Sequence, residues 1–119
     1  MPWELKNDRP IYLQLIDQIS YRIVSGEYPI GSKLPSVRDL ATEASVNPNT
    51  MQKALSELER SGLLFTNRTS GRFITEDSNM IQTMKLDLAK EQLKVFLEQL
   101  KKIGFSEAEI KEFIIHEVE

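Results

Sequence analysis

The stretch from Leu34 to Leu63, LPSVRDLATEASVNPNTMQKALSELERSGL, allows few folds, because it sets helix start and stop signals around two short periodic runs. Ser36 is a good N-cap, and Asp39, three residues later, is placed to return the bond as a weak capping box. Val37, Leu40, Ala41 and Ala44 recur at helical spacing and give the first helix one apolar side. Ser45-Val46 makes the turn, with Val46 as an apolar plug between helices. Asn47 caps the next helix, and Pro48 takes its first position, where a missing N–H costs nothing. Ala54, Leu55 and Leu58 face inward, and Gly62 ends the helix where a left-handed residue is favoured. The pattern is a helix-turn-helix.

What such a unit does depends on its outward residues, here Asn49, Thr50, Gln52, Lys53, Ser56 and Glu57. Amide and hydroxyl groups crowd the first turn and a half, the part that reaches base edges when a recognition helix docks in DNA. Asn and Gln pair bidentately with adenine, Thr bonds either way or touches a thymine methyl, and Lys meets guanine or phosphate. A blander reading, in which Asn47, Asn49 and Thr50 only cap and solvate a helix end, stays open for the helix taken alone. The flanking segments decide between the two.

Before the pair, Met1 to Arg9 reads as an extended lead-in anchored by Trp3 and Leu5, with Trp3 expected in a packed arm rather than in a ligand stack. Pro10 opens a long helix whose stripe is Tyr12, Leu15, Ile16, Ile19 and Ile23, closed by Gly26. Pro29 and Gly31 make Glu27 to Lys33 a turn, and Leu34 is a candidate for a short strand bridge. After Gly62, Leu63-Leu64-Phe65 and Arg72-Phe73-Ile74-Thr75 are β-prone runs joined by residues 66–71. A hairpin directly after a recognition helix is a wing. Gly71 allows positive φ near its tip, and Arg68 or Arg72 is positioned to enter a minor groove or clamp a phosphate. A solvated hairpin with ordinary surface arginines is the competing reading.

Residues 76–79 form a polar joint, and two helices follow from Met80. In the first, Leu86, Ala89, Leu93, Phe96, Leu100 and Ile103 step by three and four, widened by Leu88 and Leu97; Gly104 ends it. Ser106 and Glu109 form a capping box for the last helix, whose apolar face is Ile110, Phe113 and Ile114, extended by Val118. Two helices cannot make an independent core, so half of this surface is expected against the winged domain and the rest against a second copy of the chain. The candidate dimerisation residues are Leu86, Leu93, Phe96, Leu97, Leu100 and Phe113.

Charge is divided along the chain. The net charge is −3, yet residues 1–75 carry nine Lys/Arg against eight Asp/Glu, and residues 76–119 carry six against ten. The candidate DNA face is therefore mildly basic, and affinity is expected to lean on specific contacts and dimerisation. There is no run of about 18 apolar residues and no signal-peptide pattern, so neither a membrane span nor a membrane partner is expected. The chain has no cysteine, which excludes disulfides and thiolate metal sites and fits a cytoplasmic protein.

No catalytic motif, phosphate loop or metal-ligand cluster is present, so no catalytic residue, metal or cofactor is assigned and an enzyme is not expected. The single histidine, His116, reads as solvated surface, and Glu107, Glu109 and Glu112 as one solvated helical face. A winged-helix module for protein contact without base reading is the alternative; it predicts that Arg38, Asn49, Thr50 and Lys53 do not share one accessible face. A tail of this size leaves little volume for an ordinary effector pocket, so any small-molecule effector would bind at the dimer interface or between tail and winged domain.

PIYLQLIDQISYRIVSGEYPIGSKLPSVRDLATEASVNPNTMQKALSELERSGLL, followed by SGRFI, resembles the DNA-binding domain of GntR-type transcriptional regulators, and covers about two thirds of the chain. The resemblance is carried by Tyr28-Pro29-Ile30-Gly31-Ser32-Lys33-Leu34-Pro35-Ser36, by Arg38 and by Val46-Asn47-Pro48-Asn49-Thr50. The short two-helix tail resembles the YtrA-like branch, in which the C-terminal part is a dimerisation device. The resemblance implies DNA contacts from Arg38, Asn49, Thr50, Lys53 and the wing around Gly71 and Arg72. It also implies a bacterial repressor, with a branch-level link to transport genes. Many relatives carry Arg where Pro48 and Gln52 stand here, so no operator sequence is carried across.

Taken together, the expected fold is mainly α with a small β-hairpin wing. A winged helix-turn-helix DNA-binding domain occupies residues 1–76 and a helical dimerisation tail residues 77–119. The expected function is a dimeric repressor on a palindromic double-stranded operator. Its candidate contacts are Ser36, Arg38, Asn47, Asn49, Thr50, Gln52, Lys53, Arg68, Gly71 and Arg72.

Overall fold

The computed structural model describes residues 2–118. The order is α1 (Ile11–Val24), α2 (Val37–Ala44), α3 (Pro48–Ser61), β1 (Leu64–Asn67), β2 (Gly71–Ile74), α4 (Ser78–Ile103) and α5 (Glu107–Val118). Mainly helical, with one two-stranded antiparallel wing, it is the architecture that the periodicity predicts. The chain divides into two compact units, Met1–Met84 and Lys85–Glu119.

In the first unit, the inward faces of α1, α2 and α3 meet around Leu15, Ile19, Leu40, Met51, Ala54 and Leu55, all fully buried. The wing closes this core with Leu64 and Ile74, which are paired across the strands. Phe65 and Phe73 are the next pair; they lie on the opposite face of the hairpin and stack with ring centroids 5.6 Å apart. Residues 32–34 add a third backbone segment along β2: Lys33 bridges Phe73, Leu34 N–H donates to Arg72 O at 2.9 Å, and Ile74 N–H to Ser32 O at 2.8 Å. The bridge residue is thus Lys33 and not Leu34, whose side chain turns into the core.

The N-terminal arm is held by α1. Gln14 donates to Lys6 O at 2.7 Å and to Arg9 O at 2.9 Å and accepts from Lys6 N–H at 2.7 Å. One turn on, Gln18 pairs in the same way with the backbone of Glu4. Trp3 covers the Arg22 guanidinium at 3.8 Å, and Arg22, almost fully buried, pairs with Glu27 at 2.8 Å. Trp3 is therefore part of a packed arm.

Three helices end in the same cap. Backbone N–H groups at Ser45 and Val46, at Gly62 and Leu63, and at Gly104 and Phe105 donate back to the preceding turn in the paired Schellman pattern. At the first of these the left-handed residue is Ser45, φ 57°, the only non-glycine with positive φ among the described residues. α4 begins at Ser78, earlier than its apolar stripe suggests, because the Asp77 carboxylate accepts from Asn79 and Met80 N–H at 3.0 and 3.1 Å. Met80, Ile81 and Met84 pack on the winged core, which is why the first unit runs on to Met84.

In the second unit, the Ser106–Glu109 box closes in both directions, at 3.0 and 3.2 Å. The Ser106 backbone N–H first, and its hydroxyl second, hold the exposed Glu109 carboxyl below the usual carboxylate range. Among the described residues no helix is long and apolar enough to cross a membrane.

Two outcomes follow from these caps. Gly62 sits at φ +94°, and a Cβ there would approach Met80 Cε to 3.2 Å. Gly62→Ala should therefore destabilise the fold by about 1–2 kcal/mol in urea denaturation, and an unchanged midpoint would contradict the cap. Because the Glu109 carboxyl is depressed, its contribution to α5 is present above the unfolded carboxylate value and is lost as pH falls through the folded one. An NMR titration should find Glu109 below ordinary glutamates, with Ser106→Ala keeping the larger, backbone-derived part of the shift; a Glu109 that titrates normally would contradict the box.

Candidate nucleic-acid interface

The orientation of α3 is fixed from both ends and from below. The Asn47 side chain accepts from Asn49 N–H at 2.7 Å, Pro48 opens the helix, and Gly62 closes it. Met51, Ala54, Leu55 and Leu58 bury one side. On a 3.6-residue repeat this forces Asn49, Gln52, Lys53 and Ser56 onto one opposite face, with Thr50 and Glu57 at its margin. The first four are exposed and Thr50 is half-buried. The outward set read from the sequence is the side of α3 that the packing leaves uncovered, with Thr50 and Glu57 half-buried at its margin.

Two of those side chains are held in place. Lys53 Nζ lies 3.7 Å from the centroid of the Tyr12 ring on α1, and Gln52 donates to Ser56 Oγ at 3.3 Å. Tyr12 was legible only as an apolar stripe residue; its second role rests on a contact between residues 41 apart, which periodicity does not reveal.

At α2, Ser36 Oγ accepts from Asp39 N–H at 3.1 Å. Only this half of the expected capping box forms among the described contacts, since an aspartate is one methylene short of the glutamate that closes it. Arg38 stands exposed in the first turn, its carbonyl bonded by Thr42 Oγ1 at 2.9 Å. The strands of the wing reach further than the sequence suggests, to Asn67 and Gly71, leaving residues 68–70 as the tip. Arg68 is exposed there, and Asn67 Oδ1 accepts from Thr69 N–H at 3.0 Å.

Arg72 is placed differently from the open arm that the sequence suggests. Its Nε donates to Glu59 Oε1 at 3.3 Å, and Thr66 Oγ1 donates to the same carboxylate oxygen. Thr66 and Arg72 are cross-strand partners, so one acid on the last turn of α3 holds both strands of the wing. Glu59 was missed because its partners lie 7 and 13 residues away.

Between the wing and residues 33–39 runs an open groove of about 670 Å³, walled by Lys33, Pro35 and Ser36 on one side and by Thr66, Ser70, Gly71 and Arg72 on the other. Ser36, Gly71 and Arg72 thus meet at one place, while Asn49, Gln52 and Lys53 occupy the α3 face.

In the second unit, no residue of α4 is buried and only Ile110 of α5 is. Leu86 and Leu93 are about half exposed, Phe96 and Phe113 are each 40% exposed, and Leu97 and Leu100 are intermediate. Leu93, Leu97, Ile110 and Ile114 line an apolar groove of about 320 Å³. His116 pairs with Glu112 at 3.2 Å on an exposed face of α5, consistent with a surface role.

Residues 11–74 match the model of bacterial regulatory proteins of the gntR family. The uncharacterized HTH-type transcriptional regulator YhcF of Bacillus subtilis is 43% identical over 93% of this chain and 92% of its own. The transcriptional repressor YtrA of the same organism is also 43% identical, over 75% of this chain and 69% of its own. A GntR-family regulator from Listeria monocytogenes has a similar structure, with a TM-score of 0.84 at 37% identity, covering 94% of this chain and 98% of that one. The AraR DNA-binding domain, solved in complex with operator ORX1, aligns with a TM-score of 0.54 at 26% identity, over 63% of this chain and 99% of that one. With a winged helix-turn-helix fold, a capped and outward-facing α3 and a family match over more than half its length, this chain belongs to the GntR family of transcriptional regulators.

Proposed function

We propose that the protein is a dimeric repressor that reads a palindromic operator through α3. The observation that carries this is the polar face of Asn49, Gln52, Lys53 and Ser56, set opposite the buried Met51, Ala54, Leu55 and Leu58. Adenine-pairing amides, a hydroxyl and a cation lie where a recognition helix meets base edges. Ser36, Arg38 and Asn47 contact backbone beside it, and Arg68, with the segment from Gly71 to Arg72, carries the wing to the flanking groove. The likeness to a domain solved on its operator supports operator binding, and the likeness to a repressor supports the direction of regulation. A cytoplasmic site of action fits it. A link to transport genes comes with the YtrA-like branch alone.

Residues 1–76 supply DNA binding and residues 77–119 dimerisation. α4 exposes Leu86, Leu93 and Phe96 in one stripe, a surface that a second copy covers with a two-fold interface. Two-fold symmetry in the protein then matches two-fold symmetry in the site. Protein contact without base reading would leave the composition of the α3 face unexplained.

Two experiments test the two halves. Asn49→Ala and Thr50→Ala should each lower discrimination between a selected duplex and a scrambled one by about 1–3 kcal/mol. Equal losses on both duplexes would contradict base reading. Phe96→Glu or Leu100→Glu should give monomers by sedimentation with the circular dichroism of the winged fold intact; persisting dimers would move the interface elsewhere.

A further inference from the structure

The groove between the wing and the start of α2 contains a cation that the recognition face does not use. Lys33 is exposed and forms no ion pair among the described residues, whereas Arg72 across the groove is already neutralised by Glu59. The Lys33 backbone is fixed on the edge of β2 by its bridge to Phe73 and by the flanking bonds at 2.8 and 2.9 Å. Its stem crosses the hairpin at Gly71, where an added Cβ would come within 3.3 Å of Lys33 Cε. Glycine at 71 therefore has two reasons: φ of +106°, and room for a lysine to run towards the tip of the wing.

The other groups in the groove suit an anion. Ser36 and Ser70 bring hydroxyls, while the Thr66 hydroxyl is already given to Glu59. Among the described residues Asp39 is the one carboxylate lining it, and its charge is offset by the positive end of α2 beside it. Lys33 stands off the recognition helix, beside the wing, and a compact ammonium placed there meets phosphate oxygens.

We propose that Lys33 is a DNA-backbone contact, gripping a phosphate between the wing and α2 through space left by Gly71. This rests on the DNA-binding reading above. It differs from the α3 contacts in carrying affinity without sequence information.

The test uses the full chain with Lys33→Met, which keeps the stem and removes the charge, and with Lys33→Arg, which keeps the charge. The probes are a duplex enriched from a random library by the wild-type protein and a scrambled duplex of equal length. With Lys33→Met, the slope of log affinity against log salt should fall by about 0.9 per bound protomer, equally on both duplexes, and Lys33→Arg should restore it. An unchanged slope, or a loss confined to the enriched duplex, would overturn the contact. If the wild-type protein binds both duplexes equally, base reading by α3 fails, and the same slope comparison still decides Lys33.

Discussion

The structure depends on how tightly α3 is held in one rotation about its own axis. Side chains on a helix are spaced by about 100°, so burying Met51, Ala54, Leu55 and Leu58 leaves no freedom over which residues face out. The two caps set its ends: Asn47 stops the backbone from continuing upstream, and Gly62 turns it sharply into the wing. A helix that rolled or frayed would present a different set of amides, and no fixed base pattern would correspond to it. Rigidity here is the condition for specificity.

The wing is tied to that helix and not merely placed after it. Glu59 on the last turn of α3 takes a hydrogen bond from each strand, through Thr66 and Arg72, so α3 and the hairpin are joined through one carboxylate. The ion pair is partly exposed, with 36% of the Glu59 side chain accessible, and adds little to stability. Its effect is geometric. It orients Arg72 along the wing, whereas Lys33, Arg38 and Arg68 have no carboxylate partner among the described residues.

Local signals in the sequence proved readable, and contacts distant along the chain did not. The caps at Asn47, Gly62 and Ser106 follow from short-range hydrogen bonding within five residues, which the local sequence reveals directly. The pair of candidate capping boxes makes the point within one chain: Ser106 with Glu109 closes, and Ser36 with Asp39 closes by half, a difference of one methylene. Ser45 in the left-handed region was less visible, because serine is an unusual choice where Gly62 and Gly104 serve the same cap elsewhere. Glu59 with Arg72, Lys53 with Tyr12 and Lys33 beside Gly71 all arise only when the chain has folded back on itself, so no periodicity carries them.

The same distinction applies to the tail. Its apolar stripe was plain from the spacing of Leu86, Leu93, Phe96 and Leu100, and these residues remain exposed or half exposed in the single chain. The central claim, that a fixed α3 face reads a two-fold site, is tested most directly by selecting duplexes from a random library with the purified protein at one defined salt concentration. Enrichment of a palindrome whose half-site centres lie about 10 base pairs, or a multiple of that, apart is the predicted result. Enrichment of no sequence, with binding that only weakens as salt rises, would contradict it.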